Sequence, residues 1–310
     1  MKIHVTETMR SLLYLPFYLA QARGEWQRVG LEVAMGIAAD AASAPQSVLR
    51  GEADIYIGGP ARVMMNHAED QACPLICFGQ IVARNPFVLI GAKPRHDFTL
   101  GDLMSLHVGI ANEAPTPRLM LHHELREAGL EPARLIPAAP APMAESIRRL
   151  KLGLVDVIQV MEPYTDHALR QGNGHLWYRG ADAADIAFSS LVTTTDFAAK
   201  NTDLCGAVMR VLARSQTQLF DLSAAQIARE IAPFFAQPEF GNLDHGQLTR
   251  AITRYTDMGV WARRPCLSQQ AYRRMGDIMV SGGAIPSYPP FEHMVRNGFL
   301  PEGRIFGQVV

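Results

Sequence analysis

Apolar residues run in short clusters separated by glycines and polar turns, and the order of the clusters predicts alternating strands and helices. Residues 3–6 read as a buried strand, followed by an apolar-periodic helix over 16–28. Gly30-Leu31-Glu32 ends that helix and opens a second strand through Met35. A helix over 45–50 stops at Gly51 and leads into a third strand at 53–57, closed by Gly58-Gly59-Pro60. This order implies a parallel sheet with right-handed crossovers.

The same order returns about a hundred residues later. Residues 107–111 read as a strand, 112–116 as a polar turn and 117–128 as a helix. Gly129-Leu130-Glu131 matches Gly30-Leu31-Glu32 at an offset of 99, and Gly153 with Asp156 matches Gly51 with Asp54 at 102. Two matches in register indicate a duplicated architecture. The extended runs 81–91 and 186–194 lie just outside the repeats, where the chain passes between halves. Beyond Asp196 the pattern turns helical. Ser223 with Gln226 and Asp244 with Gln247 read as capping boxes, Ser268 as an N-cap, and Gly259, Gly282 and Gly298 as stops. The expected fold is α/β with two lobes, each a mainly parallel sheet flanked by helices, and a helical C-terminal region packed on the first. Lobe I takes residues 1–88 and 190–310, and lobe II takes 89–189.

Composition narrows the chemistry. The 310 residues are 48% hydrophobic and 19% charged, the make-up of an ordinary globular chain. With 29 basic and 30 acidic residues there is no overall field to favour a nucleic-acid or anionic-membrane partner. Lys2, Lys93, Lys151 and Lys200 are the only lysines, none follows a glycine, and a phosphate-binding P-loop is excluded. Cys73, Cys77, Cys205 and Cys266 make neither a disulfide framework nor a zinc set, and read as structural. The apolar run 12–20 imitates a leader, but Glu7 and Pro16 fit that badly and the segment recurs in pattern, so it is read as part of the fold. No run approaches the roughly 20 apolar residues that span a bilayer.

Ligands of open α/β sheets sit beyond the carboxyl ends of the parallel strands. Here those turns are 6–10, 38–40, 58–62, 112–116, 138–143 and 162–164, which face one another across one cleft if the lobes oppose. Thr8 lies in the first. Gly58, Gly59 and Pro60 allow close backbone approach, or form a plain strand-to-helix turn. Arg10 and Arg62 offer forks for a carboxylate or sulfonate, the alternative being solvated arginines. Asn112, Pro115 and Thr116 open a helix whose N–H groups favour an anion, or are simply capped. Glu162, directly after an apolar strand, needs a partner: an internal arginine or, the favoured reading, a cationic or amino group of the ligand. Tyr14, Tyr164 and Phe188 can stack on a flat ligand or fill the core, and Ser189 and Ser190 can donate hydroxyls from a hinge. No G-x-S-x-G, H-E-x-x-H or G-x-G-x-x-G motif is present, so neither catalytic nor metal-binding residues are assigned and no cofactor is expected.

Pro16-Phe17-Tyr18-Leu19-Ala20-Gln21-Ala22-Arg23-Gly24, Gly30-Leu31-Glu32-Val33 and Gly51-Glu52-Ala53-Asp54 with its glycine turn together resemble a known family. It is that of the ABC-importer solute-binding proteins for nitrate, sulfonates, taurine and thiamine-pyrimidine precursors, over roughly residues 3–200. Val160-Met161-Glu162-Pro163-Tyr164 is similar to that family's second-lobe strand end. The resemblance implies a type II periplasmic-binding-protein fold, a monomer that closes on a small organic solute, a periplasmic location and an ABC permease as partner. The family's thiamine-pyrimidine synthase carries a lysine and a histidine after the third strand and a cysteine-rich run. Gly58-Gly59-Pro60 and Ser189-Ser190 stand near those places here, which disfavours it. The alternative is a cytoplasmic enzyme or ligand sensor on the same fold, such as a thiamine-pyrimidine or menaquinone-pathway enzyme, using Glu7, Glu113 and Glu162. Because association costs several kcal/mol, two or three charge-assisted bonds do not reach micromolar affinity alone. An apolar or stacking contact is needed, favouring an organic ligand of the pyrimidine, sulfonate or aromatic-acid class.

Overall fold

Ten strands build two five-stranded sheets in the computed structural model, which describes residues 1–40, 42–171, 174–236 and 243–300. The first sheet contains β1 (Lys2–Glu7), β2 (Glu32–Ile37), β3 (Ile55–Gly58), β4 (Leu75–Arg84) and β10 (Asp185–Thr194), in the order β2, β1, β3, β10, β4. The second contains β5 (Val88–Gly91), β6 (His107–Gly109), β7 (Ile136–Pro137), β8 (Val157–Val160) and β9 (His175–Arg179), in the order β7, β6, β8, β5, β9.

Both sheets follow one plan. β1 runs parallel to β2 and β3, as β6 does to β7 and β8. The antiparallel strands come from the crossing segments: β10 between β3 and β4, and β5 between β8 and β9. The runs read as connections between lobes are thus sheet strands themselves, and each sheet is mixed. β10 begins at Asp185, ahead of the boundary expected at 190. Of the two expected lobes, residues 41, 172–173, 237–242 and 301–310 lie outside the described residues.

The duplication extends to side chains. Asp54 accepts the His4 N–H at 2.7 Å, and Asp156 accepts the His107 N–H at 2.8 Å, so one carboxylate ties the first parallel strand of each half to the third. The matched glycines 30 and 129, and 51 and 153, all have φ between 70° and 75°, the left-handed conformation that ends a helix and that L side chains resist.

The helix expected over 16–28 is broken at Gly24, with φ 67°, into Leu15–Ala22 and Glu25–Arg28. Leu15 to Ala20 are all buried and pack against the 20-residue helix Thr202–Asp221. The capping boxes at Ser223 and Asp244 and the Ser268 cap form as expected and start helices Ala224–Ile231, His245–Asp257 and Gln269–Ser281. These C-terminal helices reach both sheets. Arg250 and Arg254 of His245–Asp257 pair with Asp166 at 2.8 Å each, on the helix that follows β8, and Arg274 of Gln269–Ser281 pairs with Glu127 of helix Thr116–Glu127. Cys73, Cys77 and Cys205 are buried free thiols, while Cys266 is exposed. Among the described residues, no helix is long and apolar enough to cross a membrane, and no cluster of three metal-ligating side chains occurs.

Candidate ligand cleft between the sheets

β1, β3, β6 and β8 deliver their carboxyl ends to one cleft, whose wall combines residues after β1 and β3 with residues after β6 and β8. Its inner part holds about 870 Å³ and its outer part about 1230 Å³ of space continuous with solvent, and Thr8, Met9, Glu113, Met143 and Met161 line both. Of the predicted residues, Thr8, Tyr14, Gly59, Arg62, Pro115, Thr116 and Ser189 line the inner part. Arg10, Glu162 and Tyr164 line the outer part.

The floor is a chain of hydroxyls. Thr8 Oγ1 lies 2.6 Å from Tyr14 Oη, which also bonds the Ser189 side chain. Burial pushes the Tyr14 phenol up to about 12, so it is a neutral donor and acceptor. The glycines permit this closeness: a Cβ on Gly58 would meet the Tyr56 ring at 2.7 Å and Thr8 Cγ2 at 3.0 Å, and one on Gly59 would meet the Phe188 carbonyl at 3.2 Å. Pro60 is buried as the first residue of helix Pro60–Glu69. Arg62 follows two positions later on the cleft wall. Its backbone bonds Gly59 and Asn66, but among the described residues its guanidinium makes no hydrogen bond or salt bridge, and its charge helps from a longer distance to lower the Asp40 carboxyl.

Beneath the floor, strand alternation places Glu7 on the inward face with Ile3 and Val5. Its carboxyl is fully buried; it receives the Tyr18 hydroxyl and lies 3.1 Å from Arg10. Burial outweighs both partners and pushes the carboxyl up to about 7. The Arg10 guanidinium in turn lies 5.2 Å from the Tyr18 ring centroid and 5.9 Å from that of Phe234.

Several predicted residues take other roles. The Ser190 hydroxyl is fully buried and donates to the Gly79 and Leu191 carbonyls, so it braces the sheet and faces no ligand. Asn112 is exposed, and neither it nor Gly58 nor Pro60 lines the cleft. Of the two partners left open for Glu162, the structure shows the arginine: Arg254 Nε donates to Glu162 at 2.5 Å. The backbone N–H of Glu162 donates to Tyr255 Oη at 3.0 Å. Burial raises the Glu162 carboxyl while Arg254 opposes it. For neighbouring Asp166 burial acts the same way, but Arg250 and Arg254 overcome it and hold the acid below its usual range.

Glu113 accepts the Met143 N–H at 2.7 Å and the Asn112 N–H at 3.1 Å. It thereby caps helix Met143–Lys151, whose own N-cap, Pro142, has no capping side chain. Sequence reasoning missed the apolar wall: Met9, Met65, Met143 and Met161, with Leu13 and Phe87. The signal was present, since Met9 and Met143 fall inside the turns assigned to the cleft and Met161 directly precedes one.

A family profile described as NMT1/THI5 like matches residues 13–221. YtlA of Bacillus subtilis (strain 168), which carries a binding-protein name, is 20% identical over 297 residues, covering 95% of this chain and 87% of YtlA. The periplasmic aliphatic sulphonate binding protein SsuA from Escherichia coli superposes with a TM-score of 0.74 at 16% identity, covering 94% of this chain and 96% of that one. The alkanesulfonate-binding protein SsuA from Xanthomonas axonopodis pv. citri, bound to MOPS, gives 0.69 at 15% identity over 96% and 98%. The chain has the two-lobe fold of periplasmic binding proteins.

Proposed function

The chain belongs to the NMT1/THI5-like family, and on that premise we propose that it is the solute receptor of an ABC importer, closing on a small organic ligand between its sheets. The observation that carries this reading is Arg62: a guanidinium that makes no side-chain hydrogen bond or salt bridge among the described residues and acts at longer range on Asp40, on a largely apolar wall above a hydroxyl floor. Such a site suits a ligand with an apolar body and one acidic or hydrogen-bond-accepting end, within the pyrimidine, sulfonate or aromatic-acid class. The named functions of YtlA and the SsuA proteins point the same way. The lobes divide where the chain crosses between the sheets, near residues 85–87 and 180–184, and hinge there. The protein works as a monomer in the periplasm and delivers its solute to a permease.

Binding is favoured over chemistry because the carboxylates an enzyme would use are engaged. Glu7 is sealed under the floor, Glu113 caps a helix and Glu162 is held by Arg254. The test is a thermal-shift screen of the three ligand classes, followed by recovery of the hit after long incubation. A stabilising solute recovered unchanged supports the receptor; a converted one overturns it. Arg62→Met removes a charge-assisted bond and should weaken an acidic hit by at least about tenfold in calorimetry. Equal loss for neutral and acidic solutes would make Arg62 structural.

A further inference from the structure

We infer that the ligand body is a flat aromatic ring gripped by thioethers, so that the solute is a planar aromatic acid; this rests on the receptor reading. Met9 and Met65 enter the cleft from the first half, after β1 and from helix Pro60–Glu69. Met143 and Met161 enter from the second, at the start of helix Met143–Lys151 and directly after β8. The chain has 14 methionines, and four meet in this one cleft, from both of its sides.

Leucine, isoleucine and valine supply most of the buried core, so apolarity alone does not account for methionine at the wall. Methionine differs by a polarisable sulfur that is attracted to aromatic rings and by an unbranched chain that adapts to a flat surface. Phe188 adds a ring to the same wall. Arg62 and the hydroxyl floor then receive the acid. Three hydroxyls, Thr8, Tyr14 and Ser189, share two mutual hydrogen bonds, which leaves one O–H to donate outward to the ligand. An inorganic anion would leave the thioether walls unused, and a saturated acid would gain nothing from sulfur that leucine does not give.

Calorimetry on the full chain with benzoate and cyclohexanecarboxylate, equal in carbon number and charge, separates these cases. Benzoate should bind at least about tenfold tighter. In the volume-conserving variant Met9→Leu/Met161→Leu, checked for an unchanged melting temperature, the ratio should fall below about threefold. Equal affinities in the wild type, or a ratio that survives both substitutions, overturns the inference. If only aliphatic sulfonates or inorganic anions bind, the inference fails and the receptor stands. If no solute of any class binds, the receptor reading fails and takes the inference with it.

Discussion

Glu7 and Glu124 are buried carboxyls whose surroundings disfavour ionisation. Burial pushes each to about 7, against the Tyr18 and Arg10 contacts of Glu7 and the Asn85 and Tyr178 bonds of Glu124. Below about pH 4.5 both the folded and the unfolded chain hold these protons. Between there and about 7 the unfolded chain releases them while the fold retains them, so stability falls as pH rises, by at most roughly 3 kcal/mol per group. Asp166 and Glu145 are shifted the other way, and their stabilisation is lost only at lower pH, on descent through the acid range. The melting temperature should therefore drop from pH 5 to pH 8, and Glu124→Gln, which keeps an acceptor for Asn85, should flatten the drop. A melting temperature that climbs over this interval would contradict the assignment. Burial raises Glu162 as well, but here an arginine faces the carboxyl directly. Arg254→Met strands it and should cost about 3–5 kcal/mol in denaturant unfolding. Arg50→Ala, which breaks an exposed pair with Glu52, should leave the denaturant midpoint nearly unchanged. Similar losses from both would mean that burial is not what makes the Glu162 contact matter.

At the level of elements, what the chain encodes locally was legible. The glycine stops at 30, 51, 129 and 153 and the capping boxes at Ser223 and Asp244 depend on spacings of a few residues, and all form. What depends on distant partners was not. Alternating hydrophobicity marks 186–194 as extended but does not say that β10 inserts between β3 and β4. Arg254 lies 92 residues beyond Glu162, so no local pattern pairs them. Ser189 and Ser190 are adjacent in a strand, yet only Ser189 lines the cleft while Ser190 bonds inside the sheet; the pairing with β4 shifts register between the two, which no local pattern announces. Glu113 is another long-range case, a cap supplied across 30 residues to helix Met143–Lys151. Glu113→Ala should release the first N–H of that helix and lower stability by about 1 kcal/mol, read from the denaturant midpoint at constant slope. An unchanged midpoint would show that solvent satisfies the helix end equally well.

Across the whole molecule, the C-terminal helices connect the two halves on which closure depends. Helix Gln269–Ser281 packs on β10 and on Pro60–Glu69, and from there Arg274 reaches Glu127 while Ser281 meets His123 at 3.2 Å, both on Thr116–Glu127. That last helix begins with the cleft residues Thr116 and Pro117, so the contact holds one cleft wall toward the other. A hinge motion that parts the sheets has to strain or release it. Arg274 and Glu127 are 23% and 46% exposed, so their pair is worth at most about 1 kcal/mol, too little to lock the lobes but enough to shift their populations. Since apparent affinity scales with the closed fraction, Arg274→Ala should raise the dissociation constant by no more than about fivefold. Small-angle scattering should show the ligand-free variant expanded relative to the wild type, with ligand restoring the compact form. If the two ligand-free radii coincide while affinity still falls, Arg274 acts on the cleft wall directly and the C-terminal helices do not restrain the hinge.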